Sequence, residues 1–168
     1  MDHLWSPWRL QYVTGGHAPP GCVFCTADTG ADPAQAALVV HRGATCFVIL
    51  NLFPYNNGHL MVVPGRHIAT LAEATPDELH ELMQLTQRAE IVLRTAYQPH
   101  GINVGINIGR AAGAGLAEHL HIHLVPRWNG DTNFMTTVGE TRVLPESLDA
   151  TAIRLRPLFV EAAASMIG

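Results

Sequence analysis

The sequence predicts a mixed domain in which short strands build a sheet and one long helix lies across a face of it. Three observations carry this reading. Runs such as Gly101-Ile102-Asn103-Val104-Gly105-Ile106-Asn107-Ile108 and His119-Leu120-His121-Ile122-His123-Leu124 alternate with the period of a strand. Leu79, Leu82, Met83, Thr86, Ala89, Val92, Leu93 and Ala96 instead recur with the period of a helix, while Glu81, Gln84, Arg88 and Arg94 fall outside that stripe. No repeat, low-complexity tract or long linker divides the 168 residues, a length that fits one domain.

Taken in order, residues 1–20 join Trp5, Trp8 and Tyr12 to Pro7 and Arg9 and then loosen into Thr14-Gly15-Gly16. They read as an irregular arm that packs its aromatic residues on the domain or on a second subunit. Cys22-Val23-Phe24-Cys25 follows, then a loop of small residues from Thr26 to Gln35. Leu38–His41 and Ala44–Leu50, separated by Arg42-Gly43, read as a hairpin. Asn51–Gly58 is a turn-rich connection to a third strand, His59–Val63, which Pro64-Gly65 stops. Thr75, Pro76 and Glu78 supply a capping hydroxyl, a proline at the first helical position and a carboxylate for a capping box, so the long helix starts there. Gly101–Gly109 is the fourth strand and Arg110–Gly115 a small-residue loop. Glu118–Trp128 is the last strand, and a C-terminal helix begins near Ser147 and breaks near Pro157.

With 48% hydrophobic residues the chain buries a core without a disulfide or metal to make it fold. A net charge of −4 and the absence of a lysine-rich run exclude broad electrostatic binding to nucleic acid or to an anionic membrane. The first residues lack the basic and apolar regions of a signal peptide, and no window reaches a membrane span, so a soluble cytoplasmic protein is expected. An odd count of three cysteines agrees with a reducing compartment, with Cys46 read as a small buried hydrophobe.

Three of the ten histidines, His119, His121 and His123, share one face of the last strand, and Leu120, Ile122 and Leu124 turn the other into a core. Two chemistries are open to them. As a catalyst, a neutral imidazole attacks phosphorus through one nitrogen while the other is hydrogen-bonded, and His121, flanked by a histidine on each side, is best placed. Gly113, Ala114 and Gly115 then let a phosphate approach backbone amides, with Arg110 or Arg127 adding charge. As metal ligands, alternate histidines can hold a zinc with an open position. Independently, Cys22 and Cys25 have the spacing that grips one tetrahedral ion; their remaining ligands would be histidines, with His67 and one of the triad as candidates. A redox or merely buried pair is the alternative. His59 reads as satisfying a buried backbone group and Asn51 as a turn residue. His3, His80 and His100 are assigned no role.

The run His119-x-His121-x-His123-Leu124-Val125, with Gly58-His59-Leu60-Met61-Val62-Val63-Pro64 and Asn107-x-Gly109-x-x-Ala112-Gly113 before it, resembles the histidine triad (HIT) family of nucleotide hydrolases and transferases. Leu4-Trp5-Ser6-Pro7-Trp8-Arg9 and Pro126-Arg127-Trp128-x-Gly130-Asp131-x-Asn133-Phe134-Met135 are similar to its bacterial branch near the Fhit-type hydrolases and the diadenosine tetraphosphate phosphorylases. The resemblance implies an α+β fold, a five-stranded antiparallel sheet with one long helix and a short C-terminal helix, pairing as a homodimer or larger homo-oligomer. Residues 1–168 would form a single HIT domain, with 1–20 as an N-terminal arm and 136–168 as a C-terminal extension. The implied substrates are adenosine polyphosphates such as diadenosine tetraphosphate. His121 would form a nucleotidyl-histidine intermediate that inorganic phosphate or water releases. His123 and Asn107 would contact phosphate, Asn51 the ribose, and Gly113, Ala114 and Gly115 the nucleotide. Cys22, Cys25, His67 and His119 would hold a structural zinc ion.

The chain departs from that pattern in one place. Many hydrolytic members carry Ala-Gly-Gln-Ser/Thr-Val before the triad; here Ala112-Gly113-Ala114-Gly115-Leu116-Ala117-Glu118 is one residue longer and lacks both polar side chains. Backbone amides must replace them in a roomier pocket, which favours phosphate over water as the acceptor.

Overall fold

The computed structural model describes residues 21–131 and 146–165. The aromatic arm of residues 1–20, and the Asn133-Phe134-Met135 segment, lie outside the described residues.

Five strands, β1 (Val39–Arg42), β2 (Cys46–Leu50), β3 (Leu60–Pro64), β4 (Gly101–Ile106) and β5 (Ile122–Arg127), form one sheet in the order β1-β2-β3-β5-β4. Every adjacent pair is antiparallel. β2 and β3 are buried throughout, as expected for central strands covered on both faces. The histidine strand is also central, between β3 and β4. Its ladder begins only at Ile122, one residue after His121, because the chain at Leu120 is held instead by its amide bond to the Ile68 carbonyl, 2.6 Å.

Two helices occupy what the sequence presents as a small-residue loop. α1 (Val23–Thr29) starts between the two cysteines and stops at Gly30, whose φ of 73° suits glycine. α2 (Pro33–Ala36) starts at Asp32, whose carboxylate accepts the Ala34 and Gln35 amides ahead of Pro33. That Asp-Pro signal was legible in the sequence.

The long helix α3 (Pro76–Tyr97) has the expected capping box: Thr75 accepts the Glu78 amide and the Glu78 carboxylate accepts the Thr75 amide. Its core stripe is Leu82, Leu85, Thr86, Ala89, Val92 and Leu93. Leu79 and Met83, expected inside, are exposed. Glu81, expected outside, turns to the β1–β2 hairpin and accepts the Ala44, Thr45 and Cys46 amides. α4 (Leu148–Ser165) runs unbroken through Pro157. The carbonyl that Pro157 leaves without a partner belongs to the exposed Ile153, where water can satisfy it. On its other side α4 places Ala152, Leu155, Phe159 and Ala162 in the core shared by the sheet and α3. Burying an aliphatic or aromatic side chain of this size contributes about 1.5–3 kcal/mol.

Gly58 ties this packing to the chemistry that follows. Its φ is +71°, and a Cβ there would lie 2.8 Å from the Tyr97 ring at the end of α3. Only glycine lets the chain turn under Tyr97 and deliver His59 to the start of β3. Gly58→Ala should lower stability by about 1–3 kcal/mol, measured by urea unfolding.

Candidate active site

His119 is 1% exposed and lies where the approach to β5 passes the end of β3. Its Nε2 donates to the Pro64 carbonyl at 2.8 Å. A carbonyl can only accept, so the lone pair is on Nδ1, which faces Cys22 Sγ at 3.1 Å and Cys25 Sγ at 3.6 Å. His67, in the turn after β3, brings its Nδ1 to 3.4 Å from Cys25 Sγ. The donor atoms of these four residues all lie within 4.8 Å of one another. A tetrahedron with metal–sulfur bonds of about 2.3 Å and metal–nitrogen bonds of about 2.0 Å has edges of about 3.5 Å, so the group fits zinc in both donor chemistry and spacing. The carbonyl behind His119 is the usual outer partner of a metal-bound imidazole. As bare thiols the site is uncomfortable: burial and the neighbouring Cys22 push the Cys25 thiol up to about 11.

His121, two residues on, is 4% exposed. Its Nδ1 donates to the His119 carbonyl at 2.8 Å, which leaves the lone pair on Nε2. Burial lowers its basicity and keeps the ring neutral, although the His119 carbonyl opposes this. A neutral, rigidly oriented imidazole is a nucleophile. One flank of the ring meets Phe24 of α1, centroid to centroid 5.1 Å, and another meets His123 at 4.7 Å.

His123 sits within β5 opposite Met61 of β3. Its Nδ1 lies 3.0 Å from Nε2 of His59. The proton on that bond can be placed, because His59 Nδ1 accepts the Tyr55 amide at 3.1 Å, so His59 Nε2 is the donor. His123 therefore carries its own proton on Nε2, ready to contact phosphate oxygen or to protonate a leaving group. His59 is 1% exposed, and burial, with His123 and His121 nearby, holds it down to about 3. It does satisfy a buried backbone amide, as expected, but it also orients a triad histidine. That second duty depends on a cross-strand neighbour, for which the sequence carries no signal. Phe24, which touches both His119 and His121, was missed for the same reason.

Asn51 forms an Asx turn, accepting the Phe53 amide at 2.9 Å, and its Nδ2 lies 3.3 Å from His59 Nδ1. It is thus joined to the triad through His59. Asn107 is half-buried just beyond β4, whose pairing with β5 sets Gly105 opposite His123 and Ile106 opposite Ile122. Gly113 and Ala114 engage their amides within the loop, on the Arg110 and Gly109 carbonyls at 3.0 and 3.4 Å. Gly115 is exposed. No hydrogen bond joins Asn107, Ala114 or Gly115 to the triad among the described residues. Of the two arginines considered, Arg127 is engaged by Asp131 and Asn103. Arg110 is exposed, with a Glu118 carboxylate at 3.9 Å.

Five antiparallel strands with a long helix, and His119, His121 and His123 gathered at and before β5, define an α+β protein with a histidine cluster beside its sheet. Comparison with known proteins gives the family: the HIT domain matches residues 33–130. Over 162 residues, 90% of this chain and 80% of the relative, the sequence is 44% identical to a Mycobacterium tuberculosis protein named AP-4-A phosphorylase. A zinc-bound histidine triad family protein from Mycobacterium smegmatis superposes with a TM-score of 0.70 at 26% identity, covering 86% of this chain and 97% of that one. A protein from Sulfolobus tokodaii described as a hypothetical histidine triad nucleotide-binding protein gives 0.66 at 26% identity, with 86% and 93% covered. The chain belongs to the HIT family. Among the described residues no helix is long and apolar enough to cross a membrane.

Two outcomes follow. The protein purified with zinc should lose the metal in Cys25→Ser or His67→Ala and keep it in His121→Ala, as read by metal analysis. His59, neutral when folded down to about 3 against 6.5 for an ordinary imidazole, binds a proton more readily unfolded. Stability should therefore be lost as pH falls from 6.5 towards 3, and His59→Gln should flatten part of that decline in urea titrations.

Proposed function

We propose that this protein cleaves dinucleoside polyphosphates, with diadenosine tetraphosphate as the model substrate, through a nucleotidyl-His121 intermediate. The observation that carries this is the His121 bond to the His119 carbonyl, which leaves Nε2 as the nucleophilic atom beside His123. The name of the mycobacterial relative supports the substrate class.

In the first half-reaction His121 Nε2 attacks the α-phosphorus; a P–N bond forms, the P–O bond to the remaining polyphosphate breaks, and ATP departs. His123 contacts the phosphate and supplies the proton that a leaving oxygen needs. In the second, an oxygen of inorganic phosphate attacks the same phosphorus, the P–N bond breaks and ADP is released. Water in that role gives AMP. With Ala114 and Gly115 where other members carry a glutamine and a hydroxyl, nothing polar on those side chains holds a water, so phosphorolysis is the favoured outcome. Asn51 is assigned to the ribose, and Asn107 with Gly113, Ala114 and Gly115 to the nucleotide phosphates.

Cys22, Cys25, His67 and His119 would hold zinc. A bound ion there would supply structural closure, with four protein ligands and no position for a reacting water. A zinc hydratase using all three triad histidines finds no support: the Nδ1 atoms of His119, His121 and His123 face different partners. A homodimer is part of the same reading. β4 is an edge strand that exposes Val104 and Ile106, with exposed Ile108 just beyond it, and a second copy would cover that strip.

Incubation with diadenosine tetraphosphate, with and without inorganic phosphate, tests the reading. ADP plus ATP formed only with phosphate is expected; AMP plus ATP in water alone would instead mean hydrolysis. His121→Ala should lower turnover by at least ~10³-fold and abolish the acid-labile adenylyl group trapped on the wild-type protein. Persistence of that adduct in the variant would refute the assignment.

A further inference from the structure

We propose that Phe24 is a positioning residue for the nucleophile: its ring fixes the plane of the His121 imidazole, and the Cys/His group acts on His121 through it. This rests on the reading of His121 as nucleophile given above.

The His121 hydrogen bond to the His119 carbonyl fixes where Nδ1 points, but one bond does not stop a ring from swinging about the axis through it. Neighbours on its flanks must do that. His123 and Phe24 are two of these, at 4.7 Å and 79° and at 5.1 Å and 56°. Phe24 also meets His119 edge-on, at 5.3 Å and 82°. It is therefore a side chain that touches both the imidazole facing the cysteines and the imidazole assigned to attack. Aromatic pairs in tilted and edge-on arrangements of this kind resist reorientation.

What holds Phe24 is the short helix α1. Seven residues do not hold a helix in water by themselves, and Cys22 at its N-terminus makes no side-chain capping bond. α1 depends on its anchors: buried Phe24 and Ala27, Arg42 on Asp28 and on the Ala27 carbonyl, and the two cysteines that bracket Phe24. Closing Cys22 and Cys25 with His67 and His119 pins both sides of the residue that presses on His121. A site with no open position for chemistry thereby contributes to the geometry of a reaction it does not touch.

The test compares Phe24→Ala and Phe24→Leu with the wild type, using zinc-loaded protein. Three quantities are read: metal content, kcat and KM for diadenosine tetraphosphate, and the ¹⁵N shifts of the His121 ring, which report its tautomer. In Phe24→Ala we expect zinc retained, kcat lowered roughly tenfold, KM changed by less than about twofold, and His121 shifts moved from a single Nδ1–H form towards a tautomer mixture. Phe24→Leu, which refills the volume without a ring, should recover part of both the kcat and the single-tautomer shifts. Wild-type kcat per folded molecule and wild-type His121 shifts in Phe24→Ala would overturn the proposal and leave Phe24 a core residue. If Phe24→Ala loses zinc or fails to fold, Phe24→Leu decides: tautomer shifts identical to wild type overturn the proposal, and a shift in the same direction supports it. The ring signals need no substrate. A wild type that cleaves nothing would refute the function while the tautomer comparison still judged Phe24.

Discussion

The hydrogen bond between His121 Nδ1 and the carbonyl of His119 is the contact on which the site depends. It runs between residues two apart on the same face of an extended segment, so it needs no tertiary partner to be possible. It does need the backbone at His119 to be immobile. That is secured on one side by the Leu120 amide on Ile68 and on the other by the ladder that starts at Ile122. Leu120, Ile122 and Leu124, all buried, hold the segment against the core. The hydrophobic face of the strand keeps the polar face in register.

Backbone groups then make three similar side chains unequal. The Pro64 carbonyl sets the His119 proton and turns its lone pair to the cysteines. The His119 carbonyl sets the proton of His121. The Tyr55 amide sets that of His59, and through it that of His123. Each proton is placed by a main-chain atom whose role as donor or acceptor cannot change. Burial reinforces this by keeping His59, His119 and His121 neutral. Protonation of any of these rings would put a charge in a poorly solvated place, and at His59 it would also break the bond from the Tyr55 amide.

Legibility in the sequence followed the range of the interactions. Local rules were sufficient for α3, whose Thr75-Pro76-x-Glu78 start is a contact among four successive residues, and for the central strands β2 and β3, whose short β-branched and apolar runs between turn residues mark them. They did not foresee the inward turn of Glu81, because its partners are the amides of a hairpin far away in the chain. Met83 and Leu79 were placed inside by period alone, yet the stripe that meets the sheet is centred on Leu82, Leu85 and Ala89. Pro157 is read as a break by any local rule, but an amphipathic helix already seated by Leu155 and Phe159 tolerates the lost bond on its wet side.

The sequence by itself determined which groups are candidates for the chemistry, because alternation and a C-x-x-C spacing are short-range patterns that chemistry alone makes legible; of the three histidines expected on the last strand, only His123 lies within β5. Through the family it resembles, it also pointed to Cys22, Cys25, His67 and His119 as one group. Only the tertiary structure decided which nitrogen of each ring faces which partner. Only it brought His59 against His123 and set Phe24 between the cysteines and the nucleophile we propose. Those are contacts between residues distant in the chain, and they exist only once β3, β5 and α1 have packed.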